Sequence, residues 1–235
     1  MPTPRSLIAV PGVILATTLA GLAQLAASLA DRSGRISDAI ARAWAWAVAG
    51  ACGLKVAGAG AVDPRRAYVL VANHQSHLDT IALLLTCPVP MRMLAKKSLF
   101  RIPVMGWAMR RMGHLPVARE RATPAAMARL RAAVEGLARR GQSVVVFAEG
   151  SRSPDGGVRA FKKGAFHLAR DFGLPILPVA IDGTARVLPA RTLRFRGGRA
   201  RVTYLAPIDP AGREVDDLLA ETRGRIVKAL GQICD

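Results

Sequence analysis

The chain has 235 residues, a net charge of +18, and 28 arginines against six lysines. This length suits one domain with appendages, and the charge predicts anionic partners such as phospholipid, a phosphate-bearing substrate or nucleic acid. Six Phe, three Trp and two Tyr are the only aromatic residues apart from histidine. No Trp or Tyr alternates with Arg in an RNA-binding pattern, so a nucleic-acid partner is not expected.

The first predicted element is apolar. Residues 6–30 carry no charged side chain and are dominated by Leu, Ala, Ile and Val. As a helix they would be roughly 37 Å long, enough to cross a bilayer core of roughly 30 Å. Pro11 and the polar residues of this segment keep open the alternative of a helix lying in the membrane interface. The segment is longer than the apolar core of about 7–15 residues in a signal peptide, so we expect it to be retained.

A second apolar stretch follows at residues 36–56 and carries Trp44 and Trp46. Indole side chains favour the boundary between water and lipid. The two segments together predict a helical hairpin that turns at residues 31–35 and holds the protein on a membrane. Arg42 favours the alternative that the second segment packs against the core.

Strands and helices are predicted to alternate over the rest of the chain. The expected strands are 67–72, 91–95, 143–148, 176–181 and 199–206, and the expected helices are 77–86, 104–112, 123–140, 161–172 and 213–231. This order is typical of an α/β fold whose sheet is largely parallel or mixed and is flanked by helices. We therefore predict N-terminal hydrophobic membrane-associating helices at 1–53 and an α/β domain at 54–235.

The first expected strand leads into Asn73–Asp79, which places an imidazole and a carboxylate five positions apart where a helix begins. The helix N-terminus favours a neutral, proton-accepting His74, and a carboxylate one turn later can fix its tautomer. The alternative is a capping box formed by Ser76 and Asp79. With His77 these residues also offer three metal ligands, but a typical zinc site takes further ligands from elsewhere, so no metal is expected.

A polar loop follows the strand at 143–148. Glu149–Arg152 can offer backbone N–H groups, a hydroxyl and a guanidinium to one anion, and Arg binds phosphate through two parallel hydrogen bonds. We expect Glu149 to orient Arg152 or backbone donors, because a carboxylate would repel the anion itself. The alternative is an ordinary polar turn with a solvated arginine.

In chain order, the polar blocks resemble the four sequence signatures of the glycerolipid acyltransferases, the family of 1-acylglycerol-3-phosphate acyltransferase. The matching residues are Asn73–Asp79, then Lys97–Gly106 with Gly113 and Arg119, then Phe147–Ser153, and last Leu177–Ala180. The resemblance covers about residues 54–206. Ala148 and Ser151 stand where the family usually has proline and threonine, which bears on the substrate subclass more than on the reaction type.

The resemblance implies an enzyme that transfers a fatty acyl group from an acyl thioester to the free sn-2 hydroxyl of lysophosphatidate. The donor would be acyl-CoA or acyl carrier protein, with no further cofactor. His74 would be the general base and Asp79 would hold it. The residues implied for binding the glycerol phosphate are Lys97, Arg119, Glu149, Gly150, Ser151 and Arg152.

The resemblance also places the catalytic domain on the cytoplasmic face of the membrane. The three cysteines, Cys52, Cys87 and Cys234, form no pattern, which is compatible with reducing surroundings. No Gly-x-Ser-x-Gly elbow occurs, so a covalent acyl-enzyme is not indicated. Two alternatives stay open: an acyltransferase for another lyso-lipid, such as a lyso-ornithine lipid, and a non-catalytic basic module. His114 and His167 are expected to be structural.

Overall fold

The computed structural model describes residues 3–27, 35–117 and 123–232. The helices in this part of the chain are α1 (Pro4–Ala27), α2 (Arg35–Cys52), α3 (Leu78–Thr86), α4 (Met105–Arg111), α5 (Pro124–Arg139), α6 (Gly164–Asp171), α7 (Thr184–Val187) and α8 (Val215–Ala229), with a 3-10 helix at Lys97–Arg101. The strands are β1 (Leu54–Ala59), β2 (Val69–Ala72), β3 (Met91–Lys96), β4 (Leu115–Val117), β5 (Ser143–Phe147), β6 (Ile176–Asp182) and β7 (Gly198–Tyr204).

The strands form one mixed sheet in the order β1-β7-β6-β2-β5-β3-β4. Strands β6, β2, β5, β3 and β4 are parallel, whereas β7 runs antiparallel to β6 and pairs in parallel with β1. The predicted α/β fold with a largely parallel or mixed sheet is therefore confirmed. The carboxyl ends of β2, β5, β3 and β6 meet at one edge of the sheet.

The five predicted strands and five predicted helices are all present, with ends that differ by no more than three residues. The structure adds β1, β4 and the short α7. The apolar stretch at 36–56 is not one element, because its helix ends at Cys52 and β1 begins at Leu54. Strand β1 exists through its pairing with β7, a partner distant in the sequence.

Both faces of the sheet are covered at its centre. The four residues of β2 are fully buried. Val69 and Val71 face the cluster built with α5, α6 and α8, whereas Leu70 and Ala72 face the cluster on the α3 side. Such burial explains why this strand is a continuous apolar run and not an alternating one.

The N-terminal helices lie on the α3 side of the sheet. Helix α1 packs along α2, where Trp44 Nε1 donates to Thr17 Oγ1 over 3.1 Å. Helix α2 packs in turn on α3, and Ala45 of α2 shares a hydrophobic cluster with Ile81. The second segment thus packs against the core as well as against α1. The predicted turn at 31–35 lies almost wholly outside the described residues.

The outer surface of α1 is apolar. Its exposed large side chains, each 50–70% accessible, are Leu7, Ile8, Ile14, Leu15, Leu19, Leu22 and Leu25. Within the described ranges, α1 is the one helix whose length and composition would suffice to cross a membrane. An exposed apolar surface of this extent marks a site of contact with lipid or with another protein.

Candidate active site

His74 lies on the turn between β2 and α3, and the loop after β5 holds its backbone. The His74 N–H donates to Glu149 Oε1 over 2.9 Å, and the Ser153 N–H donates to the His74 carbonyl over 2.7 Å. The first and third polar blocks therefore meet at the carboxyl edge of the sheet, where β2 and β5 are neighbours. Each end of the His74 peptide unit has a fixed partner.

Asn73 fixes the same turn to the strand on the other side. Its side-chain amide donates to the Ile181 carbonyl over 2.9 Å and accepts the Ile181 N–H over 2.8 Å. The amide is buried and pairs with the end of β6 as a neighbouring strand would. Strands β5 and β6 thus position the turn from both sides of β2.

The His74 and Asp79 side chains form a hydrogen-bonded pair. Nδ1 of His74 lies 2.7 Å from Oδ2 of Asp79, and the carboxylate is fully buried. Oδ2 also accepts the N–H groups of Gln75 and Ser76 over 2.7 and 2.9 Å. The Thr184 hydroxyl donates to Oδ1. Four donors around one buried carboxylate match the acceptor capacity of its ionised form.

Half of the capping box predicted for Ser76 and Asp79 is present, and it coexists with the His74–Asp79 pair. As in a capping box, the Asp79 carboxylate accepts the Ser76 N–H at the start of α3. The Ser76 hydroxyl does not complete the box, because it donates to the Leu188 carbonyl and accepts the Leu78 N–H. The same carboxylate therefore closes the helix start and holds the imidazole.

The free side of the imidazole is Nε2. Because a neutral ring that donates from Nδ1 to Asp79 keeps its lone pair on Nε2, this tautomer can accept a proton from outside. Nε2 has no hydrogen bond to the described residues, and the His74 side chain is 12% exposed. The ring stacks on Phe147, with centroids 4.1 Å apart and planes inclined by 18°. The ring is thus held by contact as well as by hydrogen bonding.

Glu149 lies beneath the His74 turn. The sequence predicts that Glu149 orients Arg152 or backbone donors. The structure shows a contact with a backbone donor, since Oε1 accepts the His74 N–H. Oε2 is buried and has no hydrogen-bond partner among the described residues. Burial raises the pKa of Glu149 to about 7. A carboxyl with this pKa exchanges protons near neutral pH at the base of the site.

The next residues of this loop turn toward solvent. Gly150 has φ +71°, and a Cβ atom there would lie 2.7 Å from Cε of Lys162, so both the backbone and the packing favour glycine. Ser151 Oγ accepts a hydrogen bond from Nη1 of Arg159 over 2.9 Å. The Ser151 hydroxyl proton therefore stays available for another acceptor.

Arg152 lies near the start of α3. Its guanidinium has no hydrogen bond or ion pair with the described residues. Burial lowers the pKa of His77, and the positive charge of Arg152 lowers it further, so the two side chains are neighbours. An available guanidinium beside a helix N-terminus is suited to an anion.

Lys97 begins the 3-10 helix directly after β3 and is exposed. Strand β3 is two positions from β2 in the sheet, so Lys97 leaves the same edge roughly 10 Å to the side of His74. Arg119 lies outside the described residues. Lys163, directly before α6, forms a surface ion pair of 2.7 Å with Asp216.

The remaining histidines do not join this cluster. Nδ1 of His114 accepts the Met93 N–H over 3.1 Å, and burial lowers the pKa of His114 to about 4. His114 is thus neutral and structural, as expected. His167 lies on the exposed side of α6. Within the described ranges, no group of three His, Cys, Asp or Glu side chains is placed to hold a metal ion.

Thr184 is the site residue that the sequence did not reveal. It is fully buried and reaches Asp79 from the start of α7. Gly183, with φ +88°, precedes it and passes directly against the Arg199 carbonyl, where a Cβ atom would clash. In the sequence, Thr184 could have been found from the glycine that precedes it at the carboxyl end of β6, because that end of the strand lies at the same edge of the sheet as His74.

The chain is similar to known acyltransferases. Residues 53–182 match the family model described as Acyltransferase. The chain is 36% identical over 166 residues to the chloroplastic 1-acyl-sn-glycerol-3-phosphate acyltransferase BAT2 of Brassica napus, covering 70% of this chain and 47% of that protein. Against the human 1-acyl-sn-glycerol-3-phosphate acyltransferase alpha the identity is 32% over 167 residues, covering 71% and 59%.

A solved structure covers nearly the whole chain. The crystal structure of the 1-acyl-sn-glycerophosphate (LPA) acyltransferase PlsC from Thermotoga maritima matches with a TM-score of 0.81 and 26% identity, over 98% of this chain and 96% of that one. The chain spans about half the length of the curated relatives it matches. The family model nevertheless covers more than half of this chain. The chain belongs to the acyltransferase family and, within it, to the glycerolipid acyltransferases.

Proposed function

We propose that the chain transfers a fatty acyl group from an acyl thioester to the sn-2 hydroxyl of lysophosphatidate, giving phosphatidate. The observation that carries the proposal is the His74–Asp79 pair, which leaves Nε2 at a partly open edge as an acceptor without a partner among the described residues. Similarity to proteins named 1-acyl-sn-glycerol-3-phosphate acyltransferase supports the choice of acceptor.

The proposed reaction is a direct attack. The lysophosphatidate hydroxyl oxygen bonds to the thioester carbonyl carbon while its proton passes to His74 Nε2. The tetrahedral intermediate then releases the thiolate, which takes that proton and leaves as a thiol. Asp79, 2.7 Å from Nδ1, stabilises the imidazolium between the two steps. A base of this kind contributes roughly 10²- to 10⁴-fold, and positioning two substrates contributes up to about 11 kcal/mol.

The acceptor phosphate is proposed to bind beside the base. Arg152 brings a guanidinium that has no partner among the described residues. The Ser151 hydroxyl has a proton to donate, since Arg159 already donates to its oxygen. Lys97 adds a positive charge from the end of β3. Arg119 joins this set by its position in the family pattern. Glu149 acts from beneath, on the His74 backbone.

The acceptor is proposed to arrive from a membrane on the α1 side. Helix α1 stays in contact with the rest of the protein along its length: Thr17 meets Trp44, Gln24 donates to Ser37, and Gly21 lies against Val104 of the α4 start. A helix held flat in this way suits the membrane interface, with its exposed leucines in lipid. We place the catalytic domain on the cytoplasmic face of the inner membrane, where acyl thioesters are made.

The test is product formation by the full chain in phospholipid vesicles. Lysophosphatidate is supplied with acyl-CoA or with an acyl carrier protein thioester, and phosphatidate is followed by mass spectrometry. Phosphatidate is expected, and a lyso-lipid without a phosphate, such as a lyso-ornithine lipid, should react more slowly by a large factor. Equal or faster acylation of that lipid would overturn the assignment of the acceptor.

Arg152 gives the sharper version of this test. Arg152→Ala should raise KM for lysophosphatidate by roughly tenfold or more, since a hydrogen-bonded charge pair contributes about 1.5–3 kcal/mol. Arg152→Lys should recover only part of the loss, because a point charge cannot make two parallel bonds. Arg129→Ala, on the exposed side of α5, is the matched control and should leave KM unchanged.

A further inference from the structure

The outer strands β1 and β7 leave one face of the sheet uncovered. Leu54 and Ala200 point into the cluster beneath α1 and α2. Because side chains alternate along a strand, Lys55, Arg199 and Arg201 point to the opposite face, where all three are exposed. This face therefore turns away from the α1–α2 side and toward the aqueous phase if α1 lies in the membrane.

A concave groove occupies this open face. Its volume is about 600 Å³, within the range of roughly 300–1,000 Å³ that small-molecule sites take. Among the described residues, four basic side chains line it: Lys55 of β1, Arg199 and Arg201 of β7, and Arg186 of α7. Leu230, directly after α8, forms one border. A groove of this volume suits a small molecule, whereas a protein–protein interface takes an area of roughly 800 Å² per partner.

The charges of the groove are poorly compensated. Asp182, the one acidic side chain among the described residues that line the groove, pairs with Arg186 over 2.8 Å. Lys55, Arg199 and Arg201 have no ion pair with any residue in the described ranges. Lys55 and Arg199 are also direct register partners, and like charges placed opposite each other destabilise a sheet. An anion with several charges bound here would relieve that repulsion.

The groove lies within reach of His74. Asp182, at its edge, is two residues before Thr184, which contacts Asp79. Strands β7 and β1 are two and three positions from β2, so the groove extends from roughly 10 to 14 Å to the side of the site. A ligand held in the groove by its phosphates could extend a flexible arm to the imidazole.

We propose that this groove binds the phosphorylated nucleotide end of coenzyme A, so that the acyl donor enters from the aqueous side while the lyso-lipid enters from the membrane side. The inference rests on the proposed function, because it assigns the donor of that reaction. The nucleotide carries several phosphate charges, which match Lys55, Arg199 and Arg201. The pantetheine arm then carries the thioester over the end of β6 to His74.

The test is direct binding, which does not depend on turnover. Coenzyme A and adenosine 3′,5′-bisphosphate are titrated into the full chain by calorimetry, with the double variant Lys55→Ala and Arg199→Ala beside the wild type. Loss of two charge-assisted contacts should weaken both ligands by roughly a hundredfold. Pantetheine, which lacks the phosphates, should not distinguish the two proteins. Arg129→Ala on α5 is the control for removing an exposed arginine.

Steady-state kinetics with each substrate varied in turn distinguish the groove proposal from the proposed function. In the double variant, KM for acyl-CoA should rise by a similar factor while KM for lysophosphatidate stays within about twofold. Lys55→Arg and Arg199→Lys keep the charges and should retain most of the coenzyme A affinity, which assigns the loss in the double variant to the missing charges. Wild-type coenzyme A affinity in the double variant would overturn the groove assignment, even if phosphatidate is formed.

Two further outcomes would also overturn it. If the double variant loses binding to anionic vesicles but keeps coenzyme A, the groove contacts lipid. If it loses only the reaction with acyl carrier protein thioester, the groove contacts a protein. Conversely, coenzyme A bound through these residues without any acyl transfer to lysophosphatidate would support the groove and refute the acceptor in the proposed function.

Discussion

Thr184→Val removes one hydroxyl from the buried centre of the site and nearly preserves the side-chain shape. Asp79 Oδ1 accepts its hydrogen bond from Thr184, whereas Oδ2 is held by the His74 ring and two backbone N–H groups. Both Thr184 and Asp79 are fully buried, so water does not readily replace the lost donor. The remaining three bonds keep the carboxylate in place but allow it to rotate about them.

The structure sets the expected size of the effect. A hydrogen bond to a charged group contributes about 1.5–3 kcal/mol, and about 1.4 kcal/mol corresponds to a tenfold change in rate. We expect kcat to fall by roughly 10- to 100-fold. KM for both substrates should change little, because Thr184 contacts the carboxylate and not the proposed binding residues. Thr184→Ser keeps the hydroxyl and should stay close to wild type.

The assay is thiol release from acyl-CoA in the presence of lysophosphatidate, measured for the single variants and for a double-mutant cycle. In a His74→Ala background, Thr184→Val should have almost no further effect on kcat, since the hydroxyl acts through the His74–Asp79 pair. An unchanged kcat in folded Thr184→Val would refute this reasoning. So would an equal loss in both backgrounds, which would indicate a general structural defect.

Two further predictions concern stability and membrane binding. Burial raises the pKa of Glu149 to about 7, so between about pH 4.5 and 7 the native state holds a proton that the unfolded state has released. The free energy of unfolding should therefore fall as pH rises through this range, by at most about 1.4 kcal/mol per pH unit. Glu149→Gln should lack this contribution in urea unfolding; the same pH dependence in both proteins would contradict it. Leu15→Glu with Leu19→Glu should weaken vesicle co-sedimentation by at least roughly a hundredfold without unfolding the protein, because each exposed leucine contributes about 1.5–3 kcal/mol when buried in lipid. Unaltered sedimentation would show that α1 does not contact the bilayer.

Local patterns predicted the central part of the fold. The β-branched run of β5 and the continuous apolar run of β2 predict strands from composition alone. The helix predicted at 123–140 begins at Pro124, and the Thr123 hydroxyl caps it by accepting the Ala126 N–H. The five-residue spacing of His74 and Asp79 likewise predicted their contact, because a turn followed by one helical turn brings them together.

Contacts between distant residues account for what the sequence did not reveal. Strand β1 has the sequence Leu-Lys-Val-Ala-Gly-Ala, whose small residues give a weak strand signal until β7 pairs with it. The Glu149 bond to the His74 N–H joins residues 75 positions apart, and the Thr184 bond to Asp79 joins residues 105 apart. Such partners depend on strand order, which no local pattern encodes.

The most direct test of the central claim is phosphatidate formation by His74→Ala in vesicles, with lysophosphatidate and acyl-CoA, under single-turnover conditions. If His74 accepts the hydroxyl proton, the rate should fall by roughly 10²- to 10⁴-fold while lysophosphatidate still binds, since the base and the phosphate-binding residues are separate. Near wild-type phosphatidate formation by folded, vesicle-bound His74→Ala would contradict the account.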